Sequence, residues 1–129
     1  MTTELATVRL LYLRLRRAKR VRFPGANQCV AAPGTHGVYV IYSPHGVPLH
    51  VGRTLRGQKG LLQRLRNHVQ GKSSFVIRFL NGRGSRLRRR YTFAFIEVPN
   101  PRIRALLEAY AVGHLCPKHL GLGDGAAQL

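Results

Sequence analysis

Apolar residues near the start of the chain recur at helical intervals. Leu5, Val8, Leu11, Tyr12 and Leu15 fall on one stripe, so the spacing predicts an amphipathic helix from Thr3 to about Arg20, capped by Thr2 or Thr3. Its opposite face is basic: Arg9, Arg14, Arg16, Arg17, Lys19 and Arg20. Phe23-Pro24-Gly25-Ala26-Asn27 breaks the pattern, and 31–36 is a second loop. Two short apolar runs follow, Val38–Tyr42 and Val47–Val51, with Ser43-Pro44-His45-Gly46 between them. Runs of that length around a turn containing Pro and Gly predict a β-hairpin. The hairpin brings Tyr39 near His50, with glycines beside them that let a backbone or a phosphate approach.

The segment 53–60 is a polar loop carrying Arg53, Arg56 and Lys59. From Gly60 to Val69 the pattern is helical again, with Leu61, Leu62, Leu65 and Val69 on one face and Gly71 as its stop. Arg64 and His68 stand one turn apart on the adjacent face. Phe75–Leu80 fits a short helix or a strand equally. After the loop 81–85 comes a run of arginines, and Tyr91–Val98 then alternates, which predicts a strand with Tyr91, Phe93, Phe95 and Glu97 on one face. Pro99-Asn100-Pro101 ends that strand and opens a helix over about 102–115, buried through Ile103, Leu106, Leu107, Tyr110 and Val112. The tail 121–129 carries no pattern, and no internal repeat is present.

A chain of 129 residues with 44% apolar content has the size and core material of one domain. Charge changes the picture more. There are 22 Lys and Arg against 4 Asp and Glu, a formal net charge of +18. Such a field attracts polyanions, and nucleic acid is the expected partner, DNA first with RNA also open. An anionic membrane surface is the competing reading of the basic helix. The expected phosphate contacts are Arg14 and Arg17 on that helix, Arg53, Arg56, Lys59 and Arg66 around the middle helix, and Arg83, Arg86, Arg88, Arg89 and Arg90 in the arginine run. Each of these has an alternative as a solvated surface charge. No base-reading motif is present. The sequence lacks an apolar run of membrane-spanning length and a signal-peptide pattern. Its two cysteines, Cys29 and Cys116, read as reduced thiols. The expected location is cytoplasmic or nucleoid-associated.

Acidic residues are scarce: Glu4, Glu97, Glu108 and Asp124 are all of them. A site needing several carboxylates is therefore hard to build, whereas one Glu with waters and phosphate oxygens suffices for a single Mg²⁺. Tyr39, His50 and His68 are the candidates for moving protons or placing water, and each has a plain alternative as a hydrogen-bonded core residue. His114, Cys116 and His119 have spacing that resembles part of a zinc site, with Cys29 as a distant fourth ligand, and this reading is disfavoured.

Gly37-Val38-Tyr39 and His50-Val51-Gly52, followed by Arg64 with His68, then Glu108 and Pro117, resemble the ordered motifs of the GIY-YIG nuclease family. The resemblance spans roughly Gly34 to Pro117. It implies an α/β fold in which a small three-stranded, mainly antiparallel sheet (about 37–43, 47–52 and 91–98) is flanked by helices near 60–70 and 101–115. On this reading, residues 1–24 form an added basic helix packed on the core, 25–120 the nuclease-like domain and 121–129 a tail. It implies DNA phosphodiester hydrolysis with one Mg²⁺ or Mn²⁺ held by Glu108, charge stabilisation by Arg64, and water handling by Tyr39, His50 and His68. Two departures stand out: His50 replaces a Tyr, and the family's late Asn is missing, with His119 the nearest in character and Asp124 just beyond. The alternative is a non-catalytic, basic RNA- or DNA-binding protein, including a ribosome-associated one, on the same fold.

If cationic contacts dominate binding, affinity for duplex DNA falls with salt at a log–log slope of about −0.9 per phosphate neutralised. A filter-binding titration across salt concentrations measures it, and a flat response contradicts the electrostatic account.

Overall fold

Gly37–Tyr42 is buried at every position, which only a strand covered on both faces achieves. The computed structural model describes residues 3–55 and 59–120. In chain order the elements are α1 (Glu4–Arg17), β1 (Val21–Arg22), β2 (Gly37–Tyr42), β3 (Pro48–Arg53), α2 (Gly60–Val69), α3 (Ser74–Phe79), a 3-10 helix (Gly84–Leu87), β4 (Thr92–Glu97) and α4 (Pro101–Leu115). The sheet is antiparallel throughout, in the order β1-β4-β2-β3. The fold is α/β with helices on both faces. The strand count differs from the expected three because Val21–Arg22 pairs with Phe93 and Thr92 on the outer side of β4. Two residues are too few to show alternation, so that strand left no mark in the sequence pattern. Phe23, just after it, is fully buried, so the stretch set apart as 1–24 also supplies the sheet and its core.

One face of the sheet packs Tyr39, Ile41 and Phe93 against Leu61, Leu65, Phe75 and Val76 of α2 and α3. The other packs Val38, Val40, Tyr42 and Ala94 against Val8, Tyr12 and Leu15 of α1 and Leu107 and Ala111 of α4. Among the predicted residues of α1, Leu5 is left exposed, so the buried stripe begins at Val8. Thr3 is the cap, accepting from the Ala6 N–H, and the helix stops at Arg17 rather than Arg20. The ambiguous segment is helical: Ser73 caps α3 by accepting from the Val76 N–H.

Two local devices aim the functional elements. The hairpin turn closes through Ser43 N–H to the Val47 carbonyl at 2.8 Å, with Gly46 at φ +84°. At the start of α2, the N–H groups of Leu61 and Leu62 donate to the carbonyls of Thr35 and Pro33, both at 2.9 Å. Those bonds fix the rotation of α2 about its axis and hence where Arg64 and His68 point.

Sequence reading missed Arg104. It is buried, yet its Nε donates to the Thr54 carbonyl at 3.1 Å, and its Nη1 donates to those of Val98 and Pro99 at 2.9 and 3.0 Å. Burial, and then the nearby Arg53, pull its pKa down. One guanidinium thus ties the ends of β3 and β4 to α4. Arg104→Ala is expected to destabilise the fold by about 3 kcal/mol, because it orphans three carbonyls. Urea denaturation measures this, and a loss below about 0.5 kcal/mol contradicts the role.

Candidate functional site

β3 lies at the edge of the sheet, and its alternation sends neighbouring side chains toward opposite helical layers. Residues from both layers therefore meet along its rim. There a cleft of about 300 Å³ is lined by His50, Gly52, Arg53, Arg64, Glu108 and His119, among others. The cleft is large enough for a phosphodiester and its waters.

Three of the five predicted catalytic residues, His50, Arg64 and Glu108, line this cleft. Tyr39 and His68 lie beneath it, fully buried. The Tyr39 hydroxyl links the two groups. It is 2.7 Å from His68 Nε2 and 3.4 Å from His50 Nε2, and it accepts from Arg64 Nε at 3.3 Å. Gly52, opposite Tyr39 in the hairpin, makes room for it: a Cβ there would lie 2.3 Å from the phenolic oxygen. The space beside this glycine is filled by the protein's own tyrosine, not kept open for a ligand.

Burial governs the protonation states. It pushes the Tyr39 phenol up to about 12, against the weaker pull of Arg64. It drives His50 down to about 3, helped by His119 and Arg64, and His68 well below its ordinary value. All three are neutral near pH 7. Of the two roles expected of Tyr39 and His50, moving protons or placing water, these neutral, buried states suit the second better.

Glu108 is half-buried on the helix face that turns toward β3. Burial raises its carboxyl, with Arg53 and Arg64 acting in the other direction. Arg53 Nη1 donates to its Oε1 at 3.2 Å, and the Arg53 backbone N–H also acts on the carboxylate. No group of three or more His, Cys, Asp or Glu suited to a metal occurs among the described residues. A single carboxylate at a roomy cleft fits a hydrated Mg²⁺ or Mn²⁺ and does not form a closed cage.

His119, nearest in character to the family's late Asn and also part of the disfavoured zinc spacing, lines the cleft. After α4, Cys116 takes a left-handed turn (φ +46°), and the chain runs back along β3, with Lys118 and His119 N–H donating to the carbonyls of Pro48 and Leu49. Its ring lies 5.3 Å from that of His50, and its Nε2 is buried without a partner among the described residues. Asp124 lies outside the described residues. His114 stacks on Tyr110 at 4.2 Å.

The expected phosphate contacts divide. Arg14, Arg17, Lys59, Arg66, Arg83, Arg86, Arg89 and Arg90 are exposed. Arg56 lies outside the described residues. Arg53 is engaged with Glu108. Arg88 is a structural staple whose Nη1 donates to the carbonyls of Pro24, Gly25 and Gln28. Among the described residues no helix is long and apolar enough to cross a membrane. No family model matches the chain, and no curated protein matches it significantly.

The buried histidines set an acid limit. In the unfolded chain they take up a proton near 6.5, whereas in the fold His50 does so only near 3 and His68 well below its ordinary value. The unfolded chain binds more protons in that window. Stability is therefore complete above about pH 6.5 and declines as pH falls toward 3, by at most about 1.4 kcal/mol per pH unit for each histidine. Urea denaturation at pH 7.5, 6 and 5 measures the slope, and His50→Gln should flatten it. An unchanged slope in that variant contradicts the account.

Proposed function

We propose that the chain is a divalent-metal-dependent endonuclease of the GIY-YIG type, cleaving DNA phosphodiester bonds around one Mg²⁺ or Mn²⁺. The observation that carries this reading is the meeting of Arg64, Glu108 and His50 in one cleft, with the Tyr39 hydroxyl joined to Arg64, His50 and His68 beneath it. These residues come from three separate stretches of sequence.

Each side chain has a role that its environment suits. Glu108 offers its carboxylate as the one protein ligand for the ion. A bound divalent ion lowers the pKa of its water and neutralises charge on the phosphate. Arg64 stays protonated and forks onto phosphate oxygens as negative charge develops. Tyr39, kept neutral, holds the Arg64 guanidinium from below through its Nε and leaves the other nitrogens for substrate. His68 fixes the phenol. His50 and His119 wall the side of the cleft nearest β3. The net charge of +18 and the exposed arginines supply affinity for the DNA backbone, independent of sequence.

A second reading rests on the Arg53–Glu108 pair at 3.2 Å. A carboxylate already matched by a guanidinium is a weaker metal ligand, which favours a nucleic-acid-binding protein, for RNA or DNA, that does not cut.

Nicking of supercoiled plasmid with Mg²⁺ or Mn²⁺ separates the two. The nuclease reading expects wild-type nicking, none from Glu108→Ala, and a loss of about 100- to 1,000-fold in Arg64→Ala. Equal nicking by wild type and Glu108→Ala identifies a contaminant and removes the enzyme reading. Binding without nicking in every metal supports the second.

A further inference from the structure

The buried hydrogen bonds around Tyr39 form one line, and accounting for each hydrogen gives the line a direction. Ser73 is buried and has two partners among the described residues. It accepts from the Val76 N–H at 3.2 Å, and its oxygen lies 2.6 Å from His68 Nδ1. The Ser73 hydrogen has no other acceptor there, so its O–H donates to His68 Nδ1. A neutral imidazole carries one hydrogen. That of His68 therefore sits on Nε2 and is donated to the Tyr39 oxygen across 2.7 Å. Arg64 Nε occupies the second lone pair of that oxygen at 3.3 Å. The phenol hydrogen is left for His50 Nε2, at 3.4 Å. His50 then keeps its own hydrogen on Nδ1, an atom that is buried and without a partner among the described residues.

The reverse direction satisfies the same short distances but strands a different group. It leaves the Ser73 hydrogen without an acceptor deep in the core and turns His50 Nδ1 into a bare lone pair. A buried donor with no acceptor costs about 1–3 kcal/mol wherever it lies. Only the first direction places that unmet donor in a residue lining the cleft; Nδ1 itself is covered in the free protein, so a ligand relieves it by displacing that cover.

We infer that His50 Nδ1–H is a fixed hydrogen-bond donor for a non-bridging oxygen of a phosphodiester in the cleft. Ser73, at the far end of the line, is the positioning residue that sets its direction. The inference rests on the reading of the cleft as a phosphodiester site and assigns His50 a binding role there. The surroundings agree. Arg53 and Arg64 add cationic donors to this neutral one among the described residues of the cleft, so a monoanionic diester meets matching partners there. Stacking on Phe75, with ring planes 14° apart, holds the imidazole in place. The depressed pKa of His50 keeps it in the neutral, single-hydrogen form that the line requires.

Long-range ¹H–¹⁵N correlation of the imidazoles in the free, full-length protein at pH 7.5 reads the direction without any need for cleavage. The expected pattern is His68 protonated on Nε2 and His50 on Nδ1. Added dimethyl phosphate should shift the His50 Nδ1 resonance and leave the His68 tautomer unchanged. Ser73→Ala should let the His50 hydrogen redistribute to Nε2 and weaken dimethyl phosphate binding about tenfold, a difference of about 1.4 kcal/mol. Ser73→Thr, which keeps the hydroxyl, should restore the wild-type pattern. Ser73 also caps α3, so the wild-type spectrum decides even if the alanine variant does not fold. A wild-type spectrum with His50 protonated on Nε2, or no response of His50 to dimethyl phosphate, overturns the inference. A protein that nicks plasmid yet shows Nε2–H on His50 keeps its nuclease reading and loses this one.

Discussion

A phenol oxygen carried into the middle of a packed sheet must find its partners inside the protein. Tyr39 sits on β2, the strand covered on both faces, and no water reaches its hydroxyl. Much of the cleft follows from meeting that demand. Gly52 is side-chain-free because the phenol occupies its Cβ position. His68 is turned inward on α2 because its Nε2 meets that oxygen, and Ser73 holds the other side of the ring. Arg64, one turn earlier, is held by its Nε so that the rest of its guanidinium reaches the cleft. A buried polar network of this kind rigidifies when every member is satisfied, and is disrupted by the loss of any one.

Much of this was legible along the chain. The hairpin could be read from two short apolar runs and their turn, and its register does bring Tyr39 and His50 onto one face. The Arg64–His68 pairing follows from helical periodicity alone. The added helix was plain in the stripe from Val8 to Leu15. What escaped reading depends on contacts between distant segments. β1 is defined by its partner on β4 and not by its own two residues. Arg104 and Arg88 look like two more arginines of a basic chain, yet both are committed to backbone carbonyls. Ser73 reads as a helix cap, which it is, while its second bond to His68 is a tertiary fact. The half-hidden carboxylate of Glu108 depends on how closely α4 approaches β3, which no local pattern encodes.

The charge balance gains meaning from these placements. Among the acidic residues, Glu4 is paired with Arg102 at 2.7 Å, Glu97 accepts from Thr35 at 3.0 Å, and Glu108 is matched at one oxygen by Arg53. Little negative charge is left to screen a surface of exposed arginines. The folded protein bears considerable self-repulsion, which a polyanion relieves on binding. The cleft differs from that surface: cationic groups, neutral imidazoles and a carboxylate face each other there across a small volume.

The backward run of the chain after α4 also governs what the molecule avoids. A bare outer strand offers unpaired backbone groups to any passing extended peptide, and proteins that leave such a rim open invite sideways growth of the sheet. Here Lys118 and His119 already take the carbonyls of Pro48 and Leu49. The same two residues that bring an imidazole to the cleft thus cap that border against strand addition, so trimming the chain before Lys118 would unseal an aggregation-prone margin as well as deprive the cleft of a wall.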